Sequence, residues 1–138
     1  MELKVLPSEC SCYLCTFMCH YPCCGTPEDV EALMDAGYAH RLMYDDFDSG
    51  ESIIKPALKG FEAKRSPPET GSQKGCTFWK NEKCELHSLG LKPSGGKLAH
   101  HDASMDDMIE VTNFIADSWK SKKAVEIIAR WKKIHAYN

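Results

Sequence analysis

Apolar residues recur at helical spacing in two separated stretches of this chain, and between them the pattern breaks into short pieces bounded by turns. In "GTPEDVEALMDAGYAHRLMYDDF", Val30, Leu33 and Met34 fall at i, i+3 and i+4, the stripe of a helix with one buried face. Thr26 offers an N-cap oxygen, Pro27 suits the first helical position, and Glu28 and Asp29 oppose the positive helix end. Gly37 stands where a left-handed residue closes a helix. A second short helix is predicted from Tyr38 to Asp46, with Leu42 and Met43 turned inward. Towards the C-terminus, Ser104 with Asp107 makes a capping-box-like start, and Met108, Val111, Ile115 and Trp119 follow at helical spacing. Another helix begins near Ser121 and puts Ala124, Ile127, Ile128, Trp131 and Ile134 on one face.

The middle of the chain, residues 49 to 103, is rich in Gly, Pro and Ser. Ile53 and Ile54 suggest one short strand, whose pairing Pro56 limits. "KRSPPETGSQKG" is a loop. "CTFWKNEKCELHSL" reads as a hairpin of two short strands turning at Asn81 and Glu82, and "GLKPSGGKLAHHD" is a further loop. These elements predict a small, α-rich α+β fold: one metal-stabilised domain with irregular cysteine-bearing loops, a short hairpin and about four helices. Its parts are a cysteine module at residues 8–25, a distal Cys/His module at 74–103 and a helical pair at 104–137.

Composition narrows the setting. The 138 residues are 43% hydrophobic and 27% charged with a net charge of −3, ordinary values for a globular chain. Whole-molecule attraction to nucleic acid or anionic lipid is therefore not indicated. No window approaches the ~18 apolar residues of a membrane span. The opening "MELKVLPSEC" lacks a basic segment followed by an apolar run. A cytoplasmic protein without a membrane partner is expected, and in that compartment thiols stay reduced.

The candidate chemistry is sulfur. "CSCYLCTFMCHYPCCG", residues 10 to 25, carries six of the chain's eight cysteines, together with His20. Cys12 and Cys15 have the C-x-x-C spacing that brings two sulfurs from one turn onto a single metal, at about 2.3 Å for zinc. Cys19, Cys23 and Cys24 follow, and a vicinal pair such as Cys23 and Cys24 does not easily bridge to itself. More than fifty residues later come Cys76 and Cys84, then His87, His100 and His101. A proximal cluster, a long spacer and a distal Cys/Cys/His group are what a split metal site looks like, and binding the ion would staple the loops. Burial of the cysteines as small hydrophobes, or pairing as disulfides, accounts less well for six thiols in a polar, Pro-containing loop. Four cysteines suit zinc or an iron–sulfur cluster, and histidine favours zinc. Eight thiols exceed one four-coordinate ion, so either some are spare or there are two sites.

The order C-x-x-C, Cys-Cys, then "GCTFWKNEKCELH" resembles the YkgJ-like cysteine-cluster family, domains described as zinc- or iron-chelating. Cys76, Phe78, Cys84 and Leu86 match its cysteine, aromatic and apolar positions, and Lys92-Pro93 looks like its basic-Pro step. The resemblance covers residues 12 to 101 loosely and is specific at the cysteines. Where the family carries a further cysteine, this chain runs "SGGKLAHHD", so the resemblance implies that His100 or His101 takes the ligand role. His100, the first after the basic-Pro step, is preferred. The resulting ligand set is Cys12, Cys15, Cys19, Cys23, Cys24, Cys76, Cys84 and His100, with zinc the expected ion; the alternative is an iron–sulfur cluster in a redox or electron-transfer protein.

Two other functions compete. "HHD" with Asp106 and Asp107 offers groups for an open catalytic zinc, but thiolate-rich sites are usually closed, and carboxylates belong at a helix start anyway. An enzyme is not expected. "WKSKKAVEIIARWKKIHAYN" sets Lys120, Lys122, Lys123, Arg130, Lys132 and Lys133 against Glu126 alone, while residues 26 to 52 are acidic. Such a basic amphipathic helix could contact a nucleic acid or a protein partner; a solvated face behind a core stripe is the plainer reading.

Overall fold

The structure, a computed structural model, describes residues 22–47, 49–67, 75–81, 83–97 and 104–136. Helix α1, Pro27–Asp35, starts and stops on its sequence signals. Thr26 and Asp29 form a reciprocal capping box. At the other end Gly37, at φ +94°, lets its N–H reach Met34 O while the Tyr38 N–H reaches Leu33 O, a Schellman closure. Val30, Leu33 and Met34 are buried, as the stripe requires.

The next segment corrects the sequence reading. Tyr38–Asp46 is not a helix: a single 3₁₀ turn, Ala39–Arg41, leads into strand β1, Leu42–Asp46. It pairs antiparallel with β2, Ser52–Pro56, from Leu42↔Pro56 to Asp46↔Ser52. Gly50, at φ +100°, closes the turn, with Phe47 N–H bonded to Glu51 O. Leu42 and Met43 are buried as expected, but as consecutive strand residues covered on both faces. Pro56 is accommodated at the strand's last position.

The second hairpin falls where expected. Strands β3, Trp79–Lys80, and β4, Lys83–Cys84, pair antiparallel, and Asn81 takes the left-handed conformation at φ +52°. Two readings are corrected here: the residues after Cys84 do not continue the strand but turn directly into helix α2, Glu85–Leu89, and the stretch read as a loop contains the short α3, Ser94–Lys97. The fold is thus mixed α+β with two small antiparallel hairpins rather than one.

Helix α4, Met105–Ser118, begins on a Ser104/Asp107 capping box, and α5, Lys122–Ile134, begins on Ser121. Trp119 caps α4 and is buried, as is Trp131 on α5. Ile134 departs from the predicted face: it is 51% exposed, since α5 ends there. Helix α5 packs on α1 and β2, and α3 packs on α4. The core gathers α1, both strands of the first hairpin, α4 and α5 around Trp131, and Cys76, Phe78 and Leu86 join it from the distal module.

Candidate metal centre

Of the predicted ligands, Cys23, Cys24, Cys76 and Cys84 are described; Cys12, Cys15, Cys19 and His100 lie outside the described residues, as do Cys10, His20 and His101. Cys76 is 4% exposed and belongs to the core, while Cys24 and Cys84 are half-buried and pack against that same core. The proximal and distal modules therefore share one apolar support.

The distal pair is fixed by backbone. Cys76 forms a bridge with Leu58, flanked by bonds from Lys59 N–H to Gly75 O and from Thr77 N–H to Ala57 O. Cys84 stands opposite Trp79 in the β3–β4 ladder. One side chain ties the two together: Arg41. Its guanidinium donates to both oxygens of Glu85 (3.2 and 3.0 Å) and to Thr77 O (2.6 Å), and lies 4.2 Å from the centre of the Phe78 ring. Thr77 follows Cys76 and Glu85 follows Cys84, so one cation spans the neighbours of both cysteines. Sequence reasoning missed Arg41, which sits more than thirty residues upstream and has no spacing signal.

The proximal module is described only from residue 22, where it runs without regular structure into the α1 cap. That end docks on the segment after the Lys92-Pro93 step. Gly95 N–H donates to Cys24 O at 2.8 Å, and the Trp119 indole N–H donates to Gly25 O at 2.7 Å. Burial pushes the Cys24 thiol above its ordinary pKa, partly offset by the nearby Lys55 ammonium. Such a thiol keeps its proton at neutral pH, and a metal would have to displace it.

Among the described residues, no three Cys, His, Asp or Glu side chains converge as a metal-holding group. The soft, partly buried thiols nonetheless fit zinc or iron chemistry. A complete four-ligand centre therefore needs donors from outside the described residues, where four of the eight predicted ligands lie. His87 sits on α2, just after Cys84.

The competing basic face is largely engaged within the molecule. Lys123 pairs with Glu31 at 2.5 Å, Arg130 with Asp35 at 2.9 Å, and Lys120 with Asp117 at 3.2 Å and Glu51 at 3.5 Å. Lys132 lies 5.1 Å from the centre of the Tyr44 ring. The acidic 26–52 stretch is the counterpart of the basic helix. Asp106 and Asp107 belong to the first turn of α4, where they oppose the helix dipole. No helix among the described residues is long and apolar enough to cross a membrane.

No family model, curated protein or solved structure matches this chain significantly.

Proposed function

We propose that this chain is a small metal-binding protein in which one ion, zinc before iron, staples two cysteine-bearing loops to a helical scaffold. The observation that carries the reading is the meeting of the two modules: Cys24 and Cys84 pack on the core that contains Cys76, and Cys24 is bonded through its carbonyl to Gly95. Sulfur-rich donors favour a closed site whose binding energy becomes folding energy, so the ion is assigned an organising role rather than a catalytic one. The resemblance of "GCTFWKNEKCELH" to the YkgJ-like family supports the same chemistry. A reducing, cytoplasmic setting keeps the thiols available.

The test is elemental analysis of protein purified without air. Stoichiometric zinc in a colourless protein is the expected result. A brown protein with visible charge-transfer absorption and bound iron would transfer the assignment to an iron–sulfur cluster. Protein that is folded, reduced and free of both metals would end the reading.

A further inference from the structure

Helices α4 and α5 carry the same pattern of exposed residues with opposite charge. On α4 the exposed positions include Asp106, Ile109, Asn113 and Asp117; on α5 they include Lys122, Val125, Ala129 and Lys133. In each helix a charge is followed by an aliphatic residue three positions on, and a second charge comes eight positions after that. The two charges are therefore three turns apart, about 16 Å, and lie on one side of their helix. Between them the apolar residues stand in solvent: Ile109 is 51% exposed and Val125 68%.

Charge divides sharply between the two helices. Helix α4 contains Asp106, Asp107, Glu110 and Asp117 and no basic residue, whereas α5 contains five basic residues and Glu126. Only part of the α5 charge is used within the chain. Lys123 and Arg130 turn to Glu31 and Asp35 of α1, and Lys132 lies over Tyr44. Lys122 and Lys133 enter no ion pair among the described residues. On α4, Asp117 meets Lys120 at 3.2 Å, yet both side chains stay 62% exposed. Within one molecule α5 packs on α1 and β2, and α4 packs on α3. The outward stripes are left for another molecule.

A second copy of the chain carries both halves of the match. Under a two-fold axis, α4 of each protomer meets α5 of the other, so both contacts form together and the surface is self-complementary. The helices are 14 and 13 residues long, about 20 Å each, and overlap along their whole length. Equal charge spacing matches Asp106 and Asp117 to Lys122 and Lys133 whether the helices run parallel or antiparallel. The charges set the register, and the aliphatic residues between them supply the contact that excludes water.

We infer that these stripes are a self-association surface, α4 of one copy docking on α5 of a second to give a two-fold dimer. The inference does not depend on the metal-binding reading.

Sedimentation equilibrium of the full chain over a concentration series tests it, with reductant present so that intermolecular disulfides do not mimic association. Wild type should dimerise, less tightly at high salt. Ile109→Lys and Val125→Asp, both at exposed positions, should keep the wild-type circular dichroism and each weaken dimerisation by roughly 10–100-fold. An equimolar mixture of the two variants should dimerise again. One of its contacts sets the introduced lysine against the introduced aspartate, and the other is wild type. Wild type that stays monomeric up to roughly millimolar concentration, or a dimer that both variants leave intact, would overturn the inference. A mixture that associates no better than its components would overturn it as well.

Discussion

Arg41 and Glu85 form a two-pronged ion pair, guanidinium nitrogens 3.0 and 3.2 Å from the two carboxylate oxygens, across 44 positions of sequence. The same Arg41 nitrogen that meets Glu85 Oε1 also donates to Thr77 O. It therefore links β1's leading turn to both arms of the distal cysteine hairpin. Parallel N–H···O bonds of this type fix orientation as well as adding energy, and lysine cannot reproduce them.

Arg41→Ala should destabilise the protein by on the order of 2–3 kcal/mol, because it strips a partly buried carbonyl and a carboxylate of their donor at once. Arg41→Lys should recover only part of this. Chemical denaturation with both variants checks the order. Equal stability of wild type and Arg41→Ala would show that the network is ornamental.

The same pair predicts a pH dependence. The Arg41 hydrogen bonds hold the Glu85 carboxyl below its ordinary value of 4.5, against the smaller opposing effect of burial. A carboxylate depressed in the folded state contributes stability that is fully present above the ordinary value and lost as pH falls through the folded one. Glu85 is 36% exposed, so solvent screens part of the effect. Melting midpoints of wild type should fall with acid more steeply below about pH 4.5 than those of Glu85→Gln. Parallel curves would remove Glu85 from the account of acid sensitivity.

Helices α1, α4 and α5 were readable because their signals are local, whereas the short α2 and α3 fall in stretches that read as strand and loop. Thr26, Ser104 and Ser121 each cap the helix that their spacing announced, and Gly37 closes α1. Strand β1 was not readable in the same way. Leu42 and Met43 are adjacent and apolar, which suits either state over a short run. The decision comes from the ladder with β2, where Leu42 stands opposite Pro56 and Met43 opposite Lys55, and "FDSGE" was the turn signal that could have revealed it. At the site, spacing pointed to the cysteines but not to Arg41. Its role depends on partners 36 and 44 positions away.

The ion pairs of α5 and of the turn before it bear on nucleic-acid binding. Lys123, Arg130 and Lys120 face Glu31, Asp35 and Glu51, so less of the helix's positive charge is available to a polyanion than its sequence implies. Weak retention on heparin, lost at modest salt, is the expected behaviour. Glu31→Gln with Asp35→Asn should strengthen retention by releasing Lys123 and Arg130. Tight retention of wild type with a steep salt slope would instead favour a nucleic-acid partner.

On the proposed reading, chelation should act differently on the two halves of the molecule. The α1, α4 and α5 helices carry buried stripes and capped ends of their own. The proximal turn has no regular structure of its own and is held through Gly95, and the distal hairpin is built of two-residue strands. A strong chelator should therefore expose residues 22–25 and 75–97 to protease while most helical circular dichroism persists. Holo and apo forms with the same protease pattern would deny the ion its organising role.

The ligand set itself is best divided by comparing Cys84 with the histidine pair. Cys84 is half-buried at the end of a strand and packs on the edge of the core, so Cys84→Ser disturbs packing less than a change at the buried Cys76 would. Cys76→Ser is less clean, because a hydroxyl in that core position carries its own cost of about 1–3 kcal/mol. Cys84→Ser should lose most of the bound metal, and Cys10→Ser, outside the C-x-x-C and Cys-Cys pairs, should lose least. If His100 supplies a nitrogen, affinity should fall as pH drops through the imidazole range near ~6.5, since a protonated ring cannot coordinate. His100→Ala should then weaken binding and flatten that pH dependence, while His101→Ala does little, because adjacent side chains point apart. His100→Cys should keep the ion and shift preference towards softer metals. A His100/His101 double alanine variant that binds as tightly as wild type at both pH 6 and pH 8 would replace the mixed site with an all-cysteine one.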